Sequence, residues 1–143
     1  MEIKEIDKTF DREGRNSVVV CVKSLLQYFK IDFTQDDLKE KLLLDEKGSA
    51  TLADLVSVFE RFGLMAEGFR ADAVSNLDEL SNPAIIPVFM DDGKPDFAVY
   101  YRKYDEKYLI GMPLWGLNLY TGWEFEAIWV NHVLLEVKKN VNL

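Results

Sequence analysis

The sequence predicts an α+β fold in which helices come first and an antiparallel sheet follows. Up to residue 62 the apolar side chains recur every three or four positions, which indicates helices. After residue 63 the apolar runs shorten to the length of strands and are separated by turn signals such as Asp91-Asp92-Gly93. We therefore expect three N-terminal helices packed on a C-terminal antiparallel sheet.

The longest apolar run, Asn16–Phe29, is the predicted central helix. Asn16 and Ser17 are good N-cap residues, because their side-chain oxygens can accept from the free N–H groups of a first turn. After them the helix is apolar on nearly every face, which is typical of a buried helix. Residues 1–15 mix charges with a few apolar side chains, and we expect a loosely packed, extended lead-in there.

Two more helices are predicted from their N-caps. Thr34, with Asp37 three positions later, starts a helix to about Leu43. Thr51 starts a regular helix that ends at Phe62, and Gly63 is a natural residue after a helix C-terminus. The inward side chains of the first of these helices are expected to be Leu38, Leu42 and Leu43.

The second half of the chain is predicted to be mostly strand. Pro87 marks an edge or a bulge, because proline cannot donate to a sheet. Trp115, Tyr120 and Trp123 are expected to be buried or partly buried. The expected strands are 64–70, 84–90, 97–102, 107–111, 117–120 and 132–138, with a helical turn at 75–80 and a short helix from 121 to 129.

Composition bounds the class of protein. With 143 residues, 48% hydrophobic and 29% charged, the chain is expected to form one domain, residues 1–143. A net charge of −8 argues against a nucleic-acid partner, which needs a basic surface. One cysteine excludes an intrachain disulfide, and without a His/Cys cluster or a phosphate-binding loop we expect no metal and no cofactor. No stretch reaches the about 18 apolar residues of a membrane span.

Short landmarks follow one another along the chain at 16–18, 20–22, 28–30, 48–52, 62–64, 77–85 and 125–129. Their order resembles a known family, the bacteriocin-processing, double-glycine leader peptidase domain of ABC exporters. This is a cysteine peptidase domain, and the resemblance implies a papain-like fold over most of the chain. In the family a buried helix opens with Asp-Cys-Gly, where this chain has Asn16-Ser17-Val18.

The chemistry departs from the family at four positions. The family's cysteine nucleophile, histidine base, orienting acid and oxyanion-stabilising glutamine align with Ser17, Asp96, Met112 and Asp11, in that order. A serine nucleophile needs a base, and a carboxylate of pKa about 4 is a poor base for an alcohol. Negative charge at Asp11 would also oppose an oxyanion. We therefore expect no catalytic residue and no enzyme activity.

Two other reactive side chains do not replace the missing ones. Cys21 lies one helical turn after Ser17 and is expected to be a packed core thiol, as free cysteines usually are. His132, the only histidine, aligns with the start of the last strand and is expected to be structural or exposed.

The resemblance implies a groove that takes the apolar helix of a leader peptide. Helix-in-groove recognition needs an apolar stripe, which the third helix could supply. On this hypothesis the chain docks a leader peptide or an exported protein without cutting it, as a similar degenerate domain does in exporters of the haemolysin type. It would act in the cytoplasm at the inner face of the membrane, fused to or associated with an ABC transporter. The candidate peptide-binding residues are Leu52, Leu55, Val56 and Phe59.

Two alternatives stay open from the sequence. The chain could be a standalone interaction protein that partners an active peptidase or transporter. It could also be a weakly active leader peptidase in which Ser17 works with Asp96.

Overall fold

The computed structural model describes residues 2–90 and 95–140, and the predicted turn at Asp91-Asp92-Gly93 lies outside them. The α+β prediction is confirmed. Helices are α1 (Ile3–Thr9), α2 (Ser17–Tyr28), α3 (Gln35–Lys41), α4 (Leu52–Arg61) and α5 (Gly122–Ile128). Strands are β1 (Leu64–Arg70), β2 (Ala84–Phe89), β3 (Pro95–Tyr104), β4 (Lys107–Met112), β5 (Gly116–Thr121) and β6 (Val133–Lys139), and a 3₁₀ helix spans Val74–Glu79.

The strands form one antiparallel sheet in the order β1-β6-β2-β3-β4-β5. Because successive side chains of a strand point to opposite faces, neighbours such as Ile85 and Ile86 belong to two different cores. Helices α1, α2 and α4 cover one face, and α5 with the 3₁₀ helix covers the other. Pro87 does not lie on an edge strand, because β2 lies between β6 and β3. Beyond Ile85 the strand no longer pairs with β6, and the carbonyl of Pro87 accepts from the N–H of Val130 instead.

Helix α2 is the buried centre of the first core. Eight of its twelve residues are buried, and it packs against β3. Helices α3, α4 and α5 each begin with a capping box, in which the side chains of Thr34, Thr51 and Thr121 accept from a backbone N–H three residues later. Capping therefore fixes where most of the helices begin.

The expectation of an extended lead-in is wrong, because residues 3–9 form α1 and pack tightly. Ile6 is fully buried and Phe10 is 5% exposed. Ile3, Ile6 and Phe10 are spaced by three and four residues, so they share one face of a helix that the surrounding charges obscure in the sequence. That face lies over the sheet, where the ring of Phe10 covers Gly111 of β4.

Three side chains are more exposed than the sequence predicts. Leu43 is 60% exposed because α3 ends at Lys41 and the extended backbone of Leu42 turns the next side chain outward. Trp123, in the first turn of α5, is 81% exposed, and Trp115, in the connection between β4 and β5, is 44% exposed. Tyr120 is partly buried, as expected.

Gly111→Ala is expected to destabilise the protein by about 1–3 kcal/mol, because a methyl group there has no room. A Cβ atom at Gly111 would lie 2.5 Å from Cε1 of Phe10. At Gly68 of β1 the nearest atom to such a Cβ is a carbonyl oxygen 4.0 Å away, so Gly68→Ala is the matched control. Urea unfolding of both variants measures the difference, and equal stabilities would contradict the packing of α1 on β4.

Candidate active site

The N-terminus of α2 is held by Asn16, and two of its first-turn donors are already engaged. Asn16 Oδ1 accepts from the backbone N–H groups of Val18 at 3.0 Å and Val19 at 3.2 Å. Its Nδ2 donates to the carbonyl of Gly48 at 2.6 Å, which ties the loop before α4 to the start of α2. A helix N-terminus is a natural anion site, but here the side chain of Asn16 occupies the amides that an anion would use.

Ser17 and Asp96 meet at one backbone amide. The N–H of Phe97 donates to Ser17 Oγ at 3.3 Å and to Asp96 Oδ1 at 3.0 Å. Ser17 is 9% exposed, so its hydroxyl lies at the rim of the core rather than in open solvent. The fold therefore brings together two positions that the motif alignment predicts to be the nucleophile and the base, although they lie in distant parts of the chain.

This pair lacks the usual means of activating a serine. A serine nucleophile gives its proton to a neighbouring base, usually an imidazole. The only histidine, His132, contacts the carboxylate of Glu126, and its ring packs on Trp129 at 4.8 Å between centroids. The imidazole is thus held next to α5, as the structural role expected for His132 requires.

Asp11 lies beside the second turn of α2, where it is paired. Its backbone N–H donates to Ser24 Oγ at 2.9 Å, and its Oδ2 lies 3.6 Å from Nζ of Lys23. The carboxylate is 9% exposed, and among the described residues no hydrogen bond joins it to Ser17 or Asp96. The expectation that Asp11 sets its charge against an oxyanion at Ser17 stays a prediction, and Lys23 is the cation nearest to that carboxylate in the ion pairs of the described residues.

Met112 occupies the position aligned with the orienting acid. It is fully buried at the end of β4, and the hydroxyl of Tyr120 donates to its sulfur at 3.2 Å. A thioether carries no charge, so it cannot hold a protonated base in position.

Cys21 is sealed in the core one turn after Ser17. Its exposed fraction is zero. Burial raises the pKa of the Cys21 thiol, and the negative charge of Asp96 raises that pKa further. The thiol is therefore protonated and poorly nucleophilic at neutral pH.

Cys21 is expected to react with a chromogenic disulfide at least about 100-fold more slowly in the native protein than in guanidinium, because only the exposed thiolate attacks. Ser75→Cys in a Cys21→Ala background provides an exposed control thiol. If native Cys21 reacted as fast as the thiol at position 75, the sealed core around α2 would be contradicted.

The family model of the peptidase C39 family matches residues 7–142. The chain belongs to the peptidase C39 family. No curated protein sequence matches this C39-family chain.

Solved structures of double-glycine peptidase domains share its fold. A double-glycine motif protease from an AMS/PCAT transporter, in complex with the leader peptide, has a TM-score of 0.74 and 19% identity, covering 92% of this chain and 89% of that one. The peptidase domain of Streptococcus ComA, a bi-functional ABC transporter of a quorum-sensing pathway, has a TM-score of 0.75 and 16% identity, covering 91% and 96%. The peptidase C39-like domain of a Vibrio parahaemolyticus toxin secretion ATP-binding protein has a TM-score of 0.62 and 20% identity, covering 81% and 90%.

In this C39-family chain the four candidate peptide-binding residues divide into two pairs. Leu55 and Phe59 are fully buried where α4 packs on the sheet, so a peptide cannot reach them and their assignment to a binding surface is wrong. Leu52 and Val56 are half-buried and stay accessible on α4. The helical spacing that suggested a groove is that of the core-facing side of α4.

An open cleft of about 530 Å³ lies elsewhere, between the 3₁₀ helix, β1 and β6. None of the candidate site residues lines it; its walls include Phe69, Asn76, Leu80, Leu134 and Glu136. Within the described parts of the C39-family chain, no helix has the length and apolar composition needed to cross a membrane.

Two contacts that build the candidate site leave no mark in the sequence. Ser17 and Phe97 are 80 residues apart, and Asn16 and Gly48 are 32 apart. Both contacts use a backbone group, an amide at Phe97 and a carbonyl at Gly48, which every residue carries. Only the folded positions of α2, β3 and the loop before α4 reveal them.

Proposed function

We propose that this chain is a peptidase-like domain that binds a leader peptide or an exported protein for an ABC transporter without cleaving it. The observation that carries the proposal is the meeting of Ser17 and Asp96 at the amide of Phe97. The aligned nucleophile and base positions adjoin each other, as in a peptidase, but they hold an alcohol and a carboxylate. The family and its transporter-borne relatives supply the class of ligand.

Three features support loss of cleavage. Asp96 is a weak base for a hydroxyl, and the only imidazole is held by Glu126 and Trp129. The side chain of Asn16 accepts from the amides of Val18 and Val19, so those two donors are not free to stabilise an oxyanion. The Cys21 thiol is buried and protonated, so it does not replace the missing nucleophile.

Retention of peptide binding is supported by the placement of α4. The hydrogen bond from Asn16 to Gly48 ties the loop that leads into α4 to the start of α2, and Leu52 begins its helix four residues after Gly48. Leu52 and Val56 lie four residues apart on α4 and stay partly accessible. An amphipathic leader helix can lay its apolar face on such a pair while its extended end continues towards Ser17.

The proposed function also implies a location in the cell. A domain that selects cargo for an ABC exporter works in the cytoplasm, at the inner face of the membrane, fused to or associated with the transporter. A toxin secretion ATP-binding protein and a bi-functional ABC transporter are among the proteins that carry domains of this fold.

Leu52→Asp is expected to raise the dissociation constant for a double-glycine leader peptide about tenfold or more, because it removes apolar contact worth about 1.5 kcal/mol. An acidic residue in the first turn of α4 suits the helix dipole, so the fold is preserved. The readout is fluorescence anisotropy of a labelled leader peptide encoded beside this chain.

Leu43→Asp is the matched control, since Leu43 is an exposed leucine at the end of α3. It should leave the affinity unchanged. Failure of the wild-type chain to bind any leader peptide or exported protein of its own operon would overturn the proposal. Equal losses in both variants would remove α4 from the binding surface.

A further inference from the structure

A stretch of residues without charged side chains runs along one end of the sheet, and Arg12, which is paired with Asp7, lies beside Gly116 at the start of β5. Residues 108–123 contain no charged side chain, in a chain that is 29% charged. This stretch forms most of β4, the connection to β5, all of β5 and the start of α5. Its exposed large apolar side chains are Leu114, Trp115, Leu119 and Trp123.

Strand β5 is also an edge of the sheet. It lies last in the strand order, and among residues 2–90 and 95–140 it pairs only with β4. The outer side of such a strand presents backbone N–H and C=O groups that can pair with another strand. Leu119 is 41% exposed on this edge.

The opposite edge, β1, is protected and β5 is not. Natural edge strands commonly carry charges, prolines or bulges that prevent pairing with other chains. Strand β1 contains Glu67 and Arg70, whereas β5 reads Gly-Leu-Asn-Leu-Tyr-Thr, without charge or proline. The register between β4 and β5 is regular over six residue pairs, so no bulge twists this edge away.

We infer that β5 pairs with β5 of a second copy of this chain, in antiparallel orientation about a two-fold axis, to form one continuous sheet. Two copies that each carry a net charge of −8 repel one another, and an edge strand without charged side chains keeps that repulsion small where they meet. Residues 108–123 are the longest stretch of the chain without a charged side chain.

The strand is also complementary to itself. In an isologous contact the same patch lies on both copies. Leu117 and Leu119 are two residues apart and share a face of the sheet, so antiparallel pairing with the two-fold axis at Asn118 sets Leu117 of one copy opposite Leu119 of the other. Self-pairing of β1 would bring copies of Glu67 and Arg70 into that contact instead. The pairing does not depend on the proposed binding of a leader peptide.

Sedimentation velocity of the whole chain over a range of concentrations tests the inference. The wild type should show a reversible monomer–dimer equilibrium. Leu119→Lys should raise the dimer dissociation constant about tenfold or more, because the two-fold axis sets two ammonium groups in one interface. Phe69→Lys is the matched control, since Phe69 is 44% exposed on the β1 edge, and it should leave the constant unchanged.

Hydrogen exchange of the wild type gives a second measurement that needs no variant. Amides in residues 116–121 should gain protection as the protein concentration rises. A chain that stays monomeric without this protection would overturn the inference. So would an equal rise of the dimer dissociation constant in Phe69→Lys and Leu119→Lys. If added leader peptide protected the amides of β5 in a monomeric chain, the peptide would be the partner of this edge, and the inference of self-pairing would be overturned.

Discussion

Phe59→Ala is expected to lower the free energy of unfolding by about 3–5 kcal/mol, the largest effect on stability proposed for α4. Phe59 has no exposed surface and belongs to the core between α4, α2 and the sheet. Removing its ring leaves a cavity that the surrounding elements can fill only in part. Urea unfolding followed by circular dichroism measures the loss.

Leu52→Ala is the comparison on the same helix, and it should cost no more than about 1.5 kcal/mol, because Leu52 is only half-buried. This difference separates packing from recognition on α4. A loss of peptide binding in Phe59→Ala would follow from unfolding, whereas a loss in a Leu52 variant that stays folded would report the binding surface. Equal costs at both positions would contradict the burial pattern of α4.

The double variant Ser17→Cys with Asp96→His is expected to cleave a leader peptide about 10²–10⁴-fold faster than Ser17→Cys alone. Both positions already meet at the N–H of Phe97, so the new imidazole lies within reach of the new thiol. A thiol is activated by a neighbouring histidine, whereas the present carboxylate disfavours the thiolate by its charge.

The control is Ser17→Cys with Asp96→Asn, which supplies the thiol and removes the charge but offers no base. It should stay at the level of the wild type. If Ser17→Cys alone cleaved the peptide as fast as the double variant, a group other than residue 96 would be acting as the base. If the folded double variant stayed inactive, Asn16, Met112 or another part of the site would have to account for the loss.

Much of the fold could be predicted because its signals are local. The threonine caps of α3, α4 and α5 lie next to the helices that they start, and the apolar run of α2 is long enough to indicate burial. Helix α1 was missed because only three apolar residues mark its inward face among many charges. Leu43 was misplaced because the sequence does not show that the helix ends two residues earlier.

The candidate site was only partly predictable. The order of motifs placed Ser17 and Asp96, but the shared amide of Phe97 is a backbone group and leaves no mark in the sequence. The periodicity of α4 identified an apolar face correctly, yet it could not distinguish a face turned to the core from one turned to a ligand. Asp11 was assigned through the family's glutamine position, and its ion pair with Lys23, twelve residues away in the chain, is visible only in the folded protein.

The central claim is that the chain binds a leader peptide and leaves it intact. The most direct test is to hold the wild-type chain at a concentration where anisotropy shows the peptide to be saturated, and to follow the peptide by intact-mass spectrometry for many hours. We expect one unchanged peptide mass, the same as with Ser17→Ala. A second mass, corresponding to cleavage after the double glycine and absent with Ser17→Ala, would contradict it and make Ser17 a working nucleophile.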